Sequence, residues 1–393
     1  MGKSIYHSQA IYNCLKNLRP GLFLSDVHLK HIMAVLTAVF MQGFHGKTVD
    51  FAACSPCHRT TVAHFLNHGR WDDASLEKVL KHTVAQIIYR ESMISGKPVF
   101  CIADDTVSSK TKPSSRALHP IEDAYFHQSH LKRRQDYGHQ AVAVMLSCNG
   151  TVLHYATVMY DKSCSKIQIL CDIAEELPQA PVPSYFLCDS WYTSGKIMDA
   201  FIKKGFYTTG ALRTNRGLYP CGIRQKISSY ALHFRKTDKE VRLVTAGNRR
   251  YYVYRYEGSL NGVENAVVLI SYPKEAFHCP KALRAFICTD VSLETEEILN
   301  TYVERWPIEI FFRQSKGKLA FNRYQIRTSK GIRRYWLLMS LAHLICCTGT
   351  GKCLPFEKGY DIFQKQLQAE KIEYIYQCGV RNASLEELLA LVG

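Results

Sequence analysis

The sequence has no run of apolar residues that approaches the ~18 needed to cross a bilayer. Its longest candidate, Trp336–Cys347, is too short and carries His343 inside it, so it reads as a buried helix. The N-terminal Met1-Gly-Lys-Ser-Ile-Tyr6 lacks the apolar core of a secretory signal, and no membrane association is expected. No internal repeat or low-complexity tract is present, which argues against a solenoid and against wholesale disorder. A phosphate-binding glycine loop is missing too. Gly349-Thr-Gly-Lys352 has neither the spacing nor the Ser or Thr that should follow, so ATP is not implied. Acids are scarce, with 34 Asp and Glu against 50 Lys and Arg for a net charge of +16. Such an excess calls for a polyanionic partner, most simply nucleic acid.

The 393 residues suffice for two or three domains, and an apolar share of 47% is ordinary for a chain with a full core. The fifteen cysteines are scattered and odd in number. Without an export signal they read as reduced thiols of a cytoplasmic protein. Cys54-Ser-Pro-Cys57-His58 has the spacing of a haem-attachment site, and His64 or His68 could extend it towards zinc. No second Cys-x2-Cys exists, however, and a turn before a helix is the better reading.

Residues 1–95 read as helical, with apolar residues at helical spacing in Val27–Phe40 and Leu76–Ile88. The short helix Arg59–His68, with its Arg, Thr, His and Asn, suits either a helix-turn-helix DNA-binding domain or a plain bundle. From residue 96 the pattern changes. Pro98–Asp104 is an apolar run ending in an acid, as a buried strand does. The basic segment Thr106–Tyr137, with Lys110, Lys112, Arg116, Lys132, Arg133 and Arg134, reads as a loop. His139–Cys148 and Thr151–Met159 flank Asn149-Gly150, a hairpin turn. A helix over Cys164–Leu177, a strand over Ser184–Asp189, a helix over Thr193–Lys204 and a strand over Phe206–Leu212 complete residues 96–215. This order suits an α/β, RNase H-like core.

Residues 216–290 carry four predicted strands, Val241–Thr245, Tyr251–Tyr256, Ala266–Tyr272 and Arg284–Thr289, and read as a β-rich insertion. Helix returns over residues 291–345, N-capped at Ser292 and running to about Lys316, with Pro307 kinking or restarting it. Residues 346–393 form a helical C-terminal segment.

The core thus delivers two aspartates, Asp104 and Asp189, from the carboxyl ends of buried strands, and a glutamate, Glu309, from a basic helix. Three such acids offer hard oxygen donors to a divalent cation, and two cations can serve both sides of a phosphodiester displacement. Tyr302, Arg305, Glu309 and Lys316 lie three, four and seven residues apart, within an arc of roughly 60° on an ideal helix. Downstream, Lys316, Lys318, Arg323, Arg327, Lys330, Arg333 and Arg334 place seven cations in nineteen residues, with Phe321 and Tyr324 between them. That mixture suits a nucleic-acid backbone groove.

Tyr302-x2-Arg305-x3-Glu309-x6-Lys316 resembles the motif of bacterial insertion-sequence DDE transposases, in particular the group that excises through hairpin intermediates. Asp104-Asp-Thr106 is similar to that group's first motif. Tyr185-Phe-Leu-Cys-Asp189 together with Gly205–Asn215 is similar to its second, and the β-rich insertion is a further point of similarity. The resemblance spans about residues 98–330. It implies a cut-and-paste DNA transposase and endonuclease, with Asp104, Asp189 and Glu309 as catalytic metal ligands for Mg²⁺, Mn²⁺ being able to substitute. Nicking of the transposon end, attack by the freed 3′-hydroxyl to give a hairpin, reopening by water and strand transfer would all follow at one site.

Tyr302, Arg305 and Lys316 would hold phosphates. Trp306 would hold a flipped base, or else anchor the core. Asp104 and its neighbour Asp105 point to opposite faces of a strand, and the Asp-x-Thr spacing favours Asp104. The implied partners are double-stranded DNA, both terminal inverted repeats and target, and a second copy of the chain. The implied setting is the bacterial nucleoid. Three rivals stand beside this reading: a DNA-binding relic of such an enzyme, another RNase H-like nuclease, and a zinc-binding or haem protein that rests only on Cys54–His58.

Overall fold

A computed structural model describes residues 8–118, 120–129, 134–247, 249–260 and 262–386. Lys132 and Arg133 lie outside the described residues. Five helices open the chain: α1 (Gln9–Lys16), α2 (Asp26–Phe40), α3 (Thr48–Ala53), α4 (Arg59–Asn67) and α5 (Asp73–Ser95). Side chains of Ser8, Ser25, His58 and Asp72 cap the starts of α1, α2, α4 and α5, supplying acceptors to orphan amides. Cys54 is buried before the turn into α4 and donates to Met41 Sδ at 3.0 Å. Cys54-Ser-Pro-Cys57-His58 is therefore a turn and cap.

The sheet begins with β1 (Phe100–Ser109), β2 (Tyr125–Ser129), β3 (Arg134–Cys148) and β4 (Thr151–Tyr160). Of the segment Thr106–Tyr137, expected as a loop, residues 110–118 and 120–124 do carry no helix or strand, whereas its two ends continue β1 and form the β2–β3 ribbon. Asn149 and Gly150 both take positive φ, 48° and 81°, in the tight hairpin between β3 and β4. Then follow α6 (Lys166–Glu176), β5 (Ser184–Cys188), α7 (Gly195–Ile202) and β6 (Phe206–Leu212). β5 pairs in parallel with both β1 and β6, while β3 runs antiparallel to β1.

The remaining strands are β7 (Gly217–Leu218), β8 (Gln225–Lys226), then, after the short helix α8 (Ile227–Tyr230), β9 (Val241–Ala246), β10 (Arg249–Leu260), β11 (Val263–Pro273) and β12 (Arg284–Cys288). They continue the same sheet, because β12 pairs with β6 through Ala285–Leu212 to Cys288–Thr209. The result is one twelve-stranded mixed sheet with the order β2-β3-β1-β5-β6-β12-β11-β10-β7-β8 along its main path. A mixed α/β architecture of this kind is consistent with an RNase H-like domain.

Four helices complete the fold: α9 (Thr295–Val303), α10 (Pro307–Gly317), α11 (Ser329–Thr348) and α12 (Phe356–Val380). The cap of α9 is Glu294, paired with Glu297 in a capping box, and Ser292 instead bonds Asp290. Pro307 restarts the helix rather than kinking it, so Tyr302 and Glu309 stand on different helices and the single 60° arc does not exist. Pro307 fits at the first turn of α10 because its missing N–H would have had no intrahelical partner there.

The two faces of β1 face different layers. Cys101 and Ala103 belong to the large core shared with the N-terminal helices, α6, α7, α11 and α12, whereas Ile102 packs with Leu187, Ile308 and Phe311 beneath α10. Among the described residues no helix is long and apolar enough to cross a membrane. Trp336 and Cys347, both 1% exposed, mark the ends of the run buried within α11.

Candidate active site

β-strand alternation decides which aspartate meets the glutamate helix. Asp104 lies two residues past Ile102 and so faces α10, while Asp105 faces the α6–α7 side. Asp189 follows β5 directly, one step beyond the last ladder pair, Ala103–Cys188. Arg305, in the turn between α9 and α10, donates through Nη1 to Asp104 Oδ2 at 2.9 Å and through Nη2 to Glu309 Oε1. Lys316, two turns further along α10, donates to Thr106 Oγ1 at 2.5 Å. The Asp-x-Thr pattern and the Tyr-Arg-Glu-Lys pattern, about two hundred residues apart, therefore interlock.

The electrostatics are those of crowded carboxylates. Burial pushes the Asp104 carboxyl up to about 6, Arg305 opposes the shift, and Asp189 adds to it. Burial also raises Asp189, against the Trp191 amide, which donates to its Oδ1 at 2.9 Å. Tyr302 is raised by burial, its ring against Phe286 at 4.8 Å between centroids.

The donor types are right for a hard divalent ion: Asp104 and Glu309 share Arg305, and Asp189 stands near enough to Asp104 to raise its carboxyl. The arrangement is not yet a metal cage. Among the described residues no three His, Cys, Asp or Glu side chains stand close enough to hold an ion, and the Arg305 guanidinium lies between Asp104 and Glu309. It supplies the positive charge that buried acids require.

Asp105 has its own partners. Its carboxylate accepts from Tyr192 Oη at 2.6 Å, from Lys166 Nζ at 3.2 Å and from Gln140 Nε2. None of these three residues stood out in the sequence. The only signal was the Trp191-Tyr192 pair just after Asp189. Trp191 is 48% exposed, with Lys166 Nζ and Arg213 Cζ each 4.9 Å from its ring centroid.

The expected groove residues separate into two groups. Lys318, Arg323, Arg327 and Lys330 are exposed, with Lys318 3.7 Å from Asp361. Trp306 is 57% exposed, which removes the core-anchor alternative. Phe321 and Tyr324, each 2% exposed, belong to the core and cannot stack on bases. Arg334 is 1% exposed and is no groove cation either. It donates to the carbonyls of Phe65, Leu66, Gly69 and Trp71 and to Asp73, clamping the α4–α5 turn onto α11. Arg333 pairs with Asp161 at 2.6 Å. The stretch holds no acids of its own, but tertiary contacts supply them.

The family model described as a transposase DDE domain matches residues 95–345. No curated protein matches the chain. A match over that much of 393 residues places this protein among the DDE-domain transposases, enzymes that act on DNA in transposition and recombination.

Proposed function

We propose that the protein carries out cut-and-paste transposition of an insertion sequence through hairpin intermediates, with Asp104, Asp189 and Glu309 as its catalytic acids. The observation that carries this reading is the convergence of Arg305 and Glu309 on Asp104, and of Lys316 on Thr106. DDE transposases generally use divalent metals; here Mg²⁺ is the proposed ion, Mn²⁺ a substitute, and these three acids the residues that would hold it. When bound, such an ion lowers the barrier to in-line displacement at phosphorus by polarising oxygen.

The chain's own groups do the rest. Arg305 neutralises Asp104 and Glu309 in the free protein and, once it turns away, offers a planar fork to a DNA phosphate. Lys316 and Tyr302 flank it as further phosphate ligands, and the exposed Trp306 ring holds a base displaced from the duplex end. Lys318, Arg323, Arg327 and Lys330 track the backbone. Residues 1–95 act as a helical DNA-binding domain, with Arg59, Thr60, Thr61 and His64 exposed along α4. In the assignment that goes with this reading, residues 96–215 and 291–345 form the catalytic core, 216–290 the insertion and 346–393 the C-terminal segment. Joining two transposon ends requires a homodimer acting at the bacterial nucleoid.

The test is cleavage of end-labelled DNA bearing the element's own termini, with Mg²⁺ or EDTA, comparing the native protein with Glu309→Gln. Metal-dependent nicks and hairpins that vanish in the variant support the reading. Binding without cleavage by both proteins identifies a DNA-binding relic. Cleavage that survives in Glu309→Gln places the active site elsewhere.

A further inference from the structure

We propose that Tyr192 is a positioning residue for the acid centre, acting through Asp105 to brace β1, just past its last pair with β5, against the turn that carries Asp189. The inference rests on the assignment of Asp104 and Asp189 as metal-holding acids and adds what holds them in register.

The parallel ladder between β1 and β5 ends at Ala103–Cys188. Both aspartates lie just past it, where no strand pairing fixes their separation. The Tyr192 hydroxyl spans that gap. The residue is 0% exposed, and it donates to Asp105 Oδ1 at 2.6 Å across 87 positions of sequence.

On the β1 side the connection to the catalytic face is direct, because the Asp105 amide donates to Asp104 Oδ1 at 2.8 Å. On the β5 side, Tyr192 is part of the turn itself. Its amide donates to the Asp189 carbonyl at 3.2 Å, and the neighbouring Trp191 amide donates to the Asp189 carboxylate at 2.9 Å. The circuit Asp104–Asp105–Tyr192–Asp189 is thus closed by a single phenol. Lys166 and Gln140 hold the same Asp105 carboxylate from α6 and β3, so its direction is fixed by three elements. Bonds one layer behind metal-holding groups fix the direction of those groups, and their loss commonly weakens metal affinity by about 10–100-fold.

Tyr192→Phe in the full chain removes one oxygen and keeps the buried ring, so folding is retained. Mn²⁺ binding is measured by calorimetric titration of the native protein, Tyr192→Phe, Asp105→Asn and Glu309→Gln. The Mg²⁺ dependence of end cleavage and the thermal midpoint are measured alongside. The expected result is a Kd for Mn²⁺ about 10–100-fold weaker in Tyr192→Phe, with the half-saturating Mg²⁺ concentration raised by a similar factor. Asp105→Asn should move both in the same direction.

A Tyr192→Phe protein with native Mn²⁺ affinity and native Mg²⁺ dependence overturns the brace, even if its thermal midpoint falls, because a purely structural bond would do only that. Native Mn²⁺ binding by Glu309→Gln is a different result. It removes the acid-centre assignment itself, and the brace with it.

Discussion

Two buried histidines give the fold a calculable weakness to acid. His154 on β4 and His343 on α11 are 5% and 3% exposed, and both flank Phe311 of the glutamate helix. His154 stacks on that ring at 4.6 Å, and His343 meets it edge-on at 5.2 Å while stacking on Phe356. Each is lowered to about 3, by burial in both cases and with repulsion from His343 as a second cause for His154. In the unfolded chain each titrates near ~6.5. Between the two values the unfolded state binds more protons, so stability rises with pH through this window and is lost as pH falls. At about pH 4.5 each histidine costs roughly 2.7 kcal/mol relative to neutral pH, or about 5 kcal/mol for the pair. That is a large part of a typical stability of about 5–15 kcal/mol.

Urea titrations followed by tryptophan fluorescence at a series of pH values give the slope directly. His343→Phe keeps a ring against Phe356 and gives up one contact, Cys347 Sγ at 3.8 Å from Nδ1. Other buried bases, His127 and His139 among them, are also lowered, so the difference between variant and native slopes is the diagnostic. The variant should lose about 1.4 kcal/mol per pH unit from the acid limb. Identical limbs in the two proteins would refute the argument that His343 is held neutral by burial.

Arg334→Met should destabilise the protein by about 3–5 kcal/mol, because four carbonyls and Asp73 lose a buried donor; a loss below about 1 kcal/mol in urea would show that the α4–α5 turn holds without it. Trp306→Ala should leave the thermal midpoint where it is and weaken binding to pre-cleaved transposon ends by about 1–3 kcal/mol; equal affinity for the two proteins removes the base-holding role. Under native conditions a thiol reagent should modify the exposed Cys221, Cys279 and Cys353 first. Cys101, Cys188 and Cys346, whose thiols burial pushes up, should react only after denaturation, and early labelling of Cys188 would mean that the end of β5 is open.

Much of this protein was legible in one dimension. Apolar runs ending in Asp104 and Asp189, the Asn149-Gly150 turn, the strands after residue 240 and the spacing from Tyr302 to Lys316 are local patterns, and local propensity is enough to place them. Charge was equally plain, since it needs no geometry. What the sequence left open depended on partners far along the chain.

Asp104 and Asp105 are interchangeable as letters, and which of them faces the glutamate helix was set only when α10 covered one face of β1 and α6–α7 the other. Arg333 and Arg334 are adjacent as well, yet one lies near the surface beside Asp161 and the other is buried in a cage of carbonyls. Trp306 and Trp336 have the same side chain, and packing alone makes one exposed and the other core. Periodicity fixes the direction of a side chain relative to its own helix or strand. What that direction meets is set by contacts across hundreds of residues, and here those contacts decide which cations stand at the surface and which are buried.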